Sequence, residues 1–384
     1  MTLIVFIIDS LGPIFLLNWP VIMRVFYILC FCLYLASGLS ACEQQAQLAD
    51  TTRLEASQLS FVCEEAEEYV STCVGSKLAV FGQSCDDREA QLLIDTPCKV
   101  LSAAYEVESN LKGDFDDKRS FSCLFFGLGC EVDQSCYQAL SGSQLEQVLE
   151  LSSTDNLGDE YDVQDRIENI AAIFRESKDP RGIFAIVYRL ITNNAVESVD
   201  EGLYEHPQWT RKLIIAFARR YLENLHAHLS NEQPTPQWKK YYTLAQNCAV
   251  GHGRTLGVAI ATHLMVDLPY ALNDVDSVAH HEDDFILFGE VSLRIFPDLI
   301  RDMQAVYQTD VSQLLQGFFL GEWVDSIYTK GTATTFIYQT VRINAWRNSQ
   351  NLLTFPQPVV HADITTGWGL AEVFLAILDA TEAL

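Results

Sequence analysis

Downstream of about Tyr161 the chain repeats one pattern: apolar residues return every three to four positions over long stretches, broken at short intervals by proline, glycine or asparagine. That period draws one apolar stripe along each helix, and the period-two runs a half-buried strand needs are scarce. The spacing predicts an all-α domain over residues 160–384, with helices near 163–177, 181–199, 207–230, 236–250, 254–268, 283–307, 310–329, 332–353 and 366–382. Pro207 and Pro236 stand where a first helical turn accepts proline, and Gly182, Gly251 and Gly331 fall at boundaries. No repeat of fixed period runs through the domain.

One of these helices departs from the amphipathic pattern. From Thr255 to Leu268 it is apolar on every face, which places it at the domain centre with neighbours all round. Its only ionisable residues are His263 and Asp267, which lie four apart and so share a face. A lone carboxylate in such surroundings is costly, so the pair must be satisfied by each other, by a cation or by water. Pro269 is expected to end the helix, ahead of an acidic loop from Asn273 to Asp284 that carries His280 and His281.

The segment Gly257–Leu272, with its His263-Leu264-Met265-Val266-Asp267-Leu268-Pro269 core, resembles the signature of an uncharacterised all-helical family of bacteria and fungi, a domain of unknown function. The likeness extends to His206-Pro207-Gln208-Trp209, Phe217-Ala218-Arg219-Arg220-Tyr221, Asp284-Phe285, Val341-Arg342 and Ala345-Trp346-Arg347. It covers most of 160–355 and none of the cysteine-rich part. Where the family pattern carries extra asparagine and histidine around the His-to-Asp spacing, this chain has Ala261, Met265 and Val266. The resemblance implies a helical fold and no particular activity.

At the other end, Val25–Ala36 is an uncharged apolar run preceded by Arg24 and followed by Ser37-Gly38-Leu39-Ser40-Ala41-Cys42. That ending resembles a bacterial lipobox. The resemblance implies that residues 1–41 are a signal peptide, with Met23 as a candidate true start, and that Cys42 becomes the mature N-terminus carrying acyl chains, palmitate included. Glu43 after the cysteine implies the outer membrane. The alternative is one membrane-spanning segment from Ile14 to Leu39, which is long enough. Either way the rest is exported.

After a tether over 42–52, an acidic, mainly helical domain is expected over 53–155, with Ser153–Asp159 as the linker. It holds Cys63, Cys73, Cys85, Cys98, Cys123, Cys130 and Cys136, with no Cys-x-x-Cys pair and no histidine. In an exported chain these are disulfide candidates, and Cys248 is a candidate eighth partner; the pairing stays open. Glu64, Glu65, Glu67 and Glu68 read as a solvated helix face and not as a calcium site.

The charge balance narrows the partners. Acidic residues number 51 against 25 basic, and because Asp9 and Arg24 alone precede Cys42, the net charge of −26 belongs to the exported part. Such a surface repels phosphate backbones, which excludes nucleic acid, and anionic lipid headgroups, so attachment needs a lipid or a spanning helix. The expected address is the cell envelope, on an outer-membrane lipoprotein facing the periplasm or the cell surface.

Gly251-His252-Gly253-Arg254-Thr255-Leu256-Gly257 is not a dinucleotide fingerprint, since it follows a helix and its last glycine is one position late. No nucleophile elbow, His-Glu-x-x-His or phosphate loop is present. The candidate site is therefore His263 and Asp267, joined by Arg219 and Arg342, with Tyr221, for an anion, or by His281 and Asp284 for a divalent metal, which is not favoured. The cofactor is otherwise unknown. A histidine on a central helix is more often a structural residue than a ligand, and the default partners of Arg219 and Arg342 are Asp267 or Asp284 in ion pairs. His226 and His228, at a helix end beside Asn224 and Asn231, read as solvated surface. Two functions fit: an envelope lipoprotein whose helical domain binds an apolar ligand or protein partner, or a hydrolase-like enzyme with His263 as general base oriented by Asp267 and an arginine facing developing negative charge.

Overall fold

In a computed structural model of the chain, the described residues are 59–75, 139–248, 250–317 and 332–380, with a few positions between 90 and 105. They belong to the unit that runs from Ser57 to Leu384. The expected signal peptide, the lipobox-like run ending at Cys42, the expected tether, Cys85, Cys123, Cys130, Cys136 and the stretch 318–331 lie outside the described residues.

Among the described residues every regular element is helical. Helix α1 (Leu59–Val74) turns Ala66 and Val70 inward and leaves Glu64, Glu65, Glu67 and Glu68 exposed, the solvated face expected of them. Its last turn is tied by a disulfide between Cys73 and Cys98, with Cα atoms 5.1 Å apart. Cys63 and Cys248 are disulfide-bonded too.

Helix α2 (Gly142–Ser152) opens on a reciprocal cap between Ser141 and Gln144 and buries Val148 in the main core. The stretch after it, expected as a linker, is pinned by Arg166, whose guanidinium donates to the carbonyls of Leu151, Ser153 and Asn156. Helix α3 (Glu160–Ser177) starts where the Asp159 carboxylate accepts the Tyr161 and Asp162 amides, and it ends at Lys178 in the left-handed conformation, φ 55°. Val163, Ile167, Ile170 and Phe174 are its buried stripe. A 3₁₀ turn (Pro180–Gly182) then reverses the chain into α4 (Ile183–Asp200), apolar on nearly every face of its first two turns. The reversal requires glycine, because a Cβ on Gly182 would stand 2.1 Å from that of Phe174.

Helices α5 (Pro207–Leu229) and α6 (Pro236–Ala245) both begin on proline, as expected. Next comes the central rod: α7 (His252–Ala261), a π-helical turn (Thr262–Asp267) and α8 (Leu268–Asp274), continuous in backbone and packed by α4, α5, α6, α12 and α13. His252–Asp274 is the one described helix long and apolar enough to cross a membrane, and its most apolar 18-residue stretch is 83% buried inside the domain. Pro269 does not end it. The wide turn sends the Leu268 amide back five residues to the His263 carbonyl, so the ladder is already out of register where the proline brings no donor.

The loop expected after Pro269 is mostly helical: Ala279–His281 is a 3₁₀ turn and α9 spans Glu282–Ser292. The long helix expected over 283–307 is broken by a second 3₁₀ turn before α10 (Phe296–Tyr307), which carries Pro297 in its first turn. Helices α11 (Ser312–Gly317), α12 (Thr332–Thr354) and α13 (Gln357–Ala380) complete the described residues.

Candidate functional site

The site is built where the π-helical turn faces α4, α5 and α6. On a regular helix His263 and Asp267 already share a face, and here the imidazole Nδ1 lies 2.9 Å from Asp267 Oδ2. The same oxygen accepts the indole Nε1–H of Trp238 at 2.9 Å. A carboxylate oxygen only accepts, so the imidazole proton sits on Nδ1 and Nε2 carries the lone pair. That Nε2 is buried and has no hydrogen-bond partner among the described residues.

Aromatic rings close the space round the imidazole. Phe217 of α5 stacks on it at 3.6 Å between centroids, 11° from parallel, while Tyr188 and Phe184 of α4 meet it edge-on at 4.6 and 5.0 Å. His263 keeps 2% of its surface and Asp267 4%. Burial pushes the His263 pKa down against the opposing pull of Asp267, so the ring is neutral at pH 7. Burial, with Asp267 nearby, pushes the Tyr188 phenol well above its ordinary value.

The other candidates stand elsewhere. Arg219 donates to the Thr154 carbonyl and lies 4.0 Å from Glu223. Arg342 is buried, donates from Nη2 to the Phe285 carbonyl at 2.6 Å and lies over the Phe285 ring at 4.2 Å. Neither arginine pairs with Asp267 or Asp284: one reaches the surface, and the other finds a carbonyl and a ring face. Tyr221 packs against Phe184 and Tyr188, and its hydroxyl has no partner among the described residues.

The Asp284 carboxylate is consumed locally, accepting the Glu205 and His206 amides at 2.9 and 2.6 Å and His206 Nδ1 at 3.0 Å. His281 stacks on Trp209 at 4.7 Å and touches His206 and His280. The four expected metal ligands therefore fall into two places, and among the described residues no group of three or more His, Cys, Asp or Glu is placed to hold a metal ion.

His226 and His228 are not a solvated pair. His226 Nδ1 lies 3.2 Å from Ser152 Oγ, while His228 stacks on Tyr242 at 4.0 Å and its buried Nε2 has no partner among the described residues. Burial pushes the His228 pKa down to about 4. The α2 and α6 helices cover this end of α5, which composition alone does not reveal.

Sequence reasoning missed two features. Trp238 was not assigned to the pair, though an indole on the buried face of a neighbouring helix is a ready donor. The second is a buried ion cluster in which Glu372 of α13 meets Arg254 of α7 at 2.7 Å and Lys240 of α6 at 3.3 Å. Its one visible signal is Arg254 at the head of an apolar rod. On the outside, an open cleft of about 410 Å³ is lined by Lys212, Ala216, Arg219, Asp274 and Asp276.

These features define a helical domain organised round a sealed histidine–aspartate–tryptophan brace. The family of unknown function DUF5995 matches residues 161–369, more than half of the chain, and the chain belongs to that family. No curated protein and no solved structure matches it.

Proposed function

We propose that the chain is a cell-envelope lipoprotein, anchored through Cys42, whose DUF5995 domain binds an apolar ligand or a protein partner at its surface and does not turn over a substrate at His263. The observation that carries this reading is the closure of the pair: among the described residues Phe217 stacks on the imidazole and 2% of His263 is exposed, so its Nε2 is covered. Asp267 is engaged twice on one oxygen, which suits a brace between α6 and the rod.

A hydrolase-like reading, with or without a metal, draws support from one feature: the unpartnered Nε2 opposite an Nδ1 held by a carboxylate has the polarity of a general base. Neither candidate arginine approaches it to face developing charge. The test is a panel of ester, amide and phosphoester substrates with the wild-type protein and His263→Gln. Binding without catalysis predicts no turnover in either, and hydrolysis lost on His263→Gln in a folded protein would establish the enzyme. For the address, Cys42→Ser is expected to move the protein out of the membrane fraction, and its unchanged retention there would rule out a lipid anchor.

A further inference from the structure

The turn between α12 and α13 is built unlike the rest of the surface. Among the described residues seven large hydrophobic side chains are exposed, and the three most exposed, Leu353 at 59%, Phe355 at 57% and Val359 at 61%, all lie at this one corner. Pro356 and Pro358 stand exposed among them. No formally charged residue occurs between Arg347 and Asp363, in a chain whose acidic residues number 51. Scattered exposed apolar residues need no explanation, but a group of this kind on an otherwise acidic chain does.

Several of the corner's backbone amides are already paired. The Phe355 amide donates to the Asn351 carbonyl at 2.8 Å, the Val359 and Val360 amides both reach the Pro356 carbonyl at 3.0 and 3.4 Å, and the Thr354 hydroxyl turns back to the Gln350 carbonyl. Two prolines remove two further donors. Beneath the corner, Val360 and Ile364 pack with Val266 of the π-helical turn and hold it in place. Interfacial insertion scales with the apolar area buried, and amides already paired lower its cost.

We propose that this corner dips Leu353, Phe355 and Val359 into the interfacial layer of a lipid bilayer, a second and reversible contact beside the acyl anchor. The proposal rests on the lipoprotein reading for its setting: a chain tethered at Cys42 meets the bilayer at high effective concentration, so a weak apolar contact becomes occupied. A neutral bilayer suits it, because the acidic surface is repelled by anionic headgroups.

The test uses the mature protein purified from membranes and reconstituted into phosphatidylcholine vesicles with brominated acyl chains. Phe355→Trp places a reporter at the corner, and Ile343→Trp, at another exposed position of α12, is the control. The fluorescence added by Phe355→Trp is expected to fall at least twofold against unbrominated vesicles, with that added by Ile343→Trp unchanged. Equal, absent quenching for both overturns the proposal. So does an emission shift of Phe355→Trp that depends on protein concentration without vesicles, which would mean that copies of the chain dock on one another there. Mass analysis of Cys42 separates the two claims: without an acyl chain the lipoprotein reading falls, while quenching at Phe355→Trp would still uphold the corner.

Discussion

Two donors on one oxygen make Asp267 the least replaceable member of the central brace. Asp267→Ala strands the Trp238 indole N–H and the His263 Nδ1–H in an apolar interior, and a cost of about 2–5 kcal/mol is expected. His263→Phe keeps the stack on Phe217, removes the unpartnered Nε2 and leaves Trp238 on the carboxylate, so its cost should be clearly smaller. Urea unfolding of both variants ranks them, and the opposite order would reject the brace. His228 supplies a second test. Its folded pKa of about 4 lies below the ordinary 6.5, so between those values the unfolded chain binds the extra proton. Its contribution is full above pH 6.5 and is lost as pH falls toward 4, by about 3 kcal/mol. His228→Phe preserves the stack on Tyr242 and should flatten this loss in unfolding curves taken from pH 7 to pH 4.5.

At the scale of elements, the reversal between α3 and α4 depends on a missing side chain. Gly182→Ala would drive a methyl into Phe174, 2.1 Å away and itself fully buried, and overpacking of that kind costs about 2 kcal/mol or more. Thermal unfolding should show the loss, and Phe174→Leu in the same chain should recover part of it. Much of the helical layout was legible, because 3.6-residue periodicity and first-turn prolines are local signals: α5 was placed to within one residue. What was not legible were the points where tertiary packing overrides local rules. Pro269 looks like a terminator until the π-helical turn ahead of it is known, and Pro297 marks a break that periodicity alone runs through. The candidate site shows the same division. His263 and Asp267 share one helix and were readable from spacing, whereas Arg219, Arg342, His281 and Asp284 belong to other helices whose orientation no local pattern states.

Across the whole molecule, the C-terminal helix is joined to the central rod by charge as well as by grease. Glu372 and Arg254 are 118 residues apart in sequence, and both are almost wholly buried, as is Lys240. Burial is tolerated there because Glu372 faces both bases and Arg254 also reaches Asp379 at 3.7 Å. Glu372→Gln removes the carboxylate that both bases face, drives Lys240 to give up its proton and leaves Arg254 with Asp379 alone, and is expected to cost about 3–5 kcal/mol. Lys240 adds a pH dependence of definite sign. Burial pushes its pKa down from 10.5 to about 7, with Glu372 pulling up and Arg254 pushing further down. Between these values the unfolded chain binds more protons than the folded one, so this lysine makes stability rise as pH climbs from 7 toward 10.5. The buried phenols of Tyr188 and Tyr221, pushed well above 10, act oppositely only at higher pH, so the window below pH 9.5 isolates the lysine. Urea midpoints at pH 7 and pH 9.5 should therefore rise for the wild-type chain and rise less for Lys240→Met. An equal rise in both would mean that the lysine keeps its proton across this range and that the cluster is a fixed ion network, insensitive to alkali.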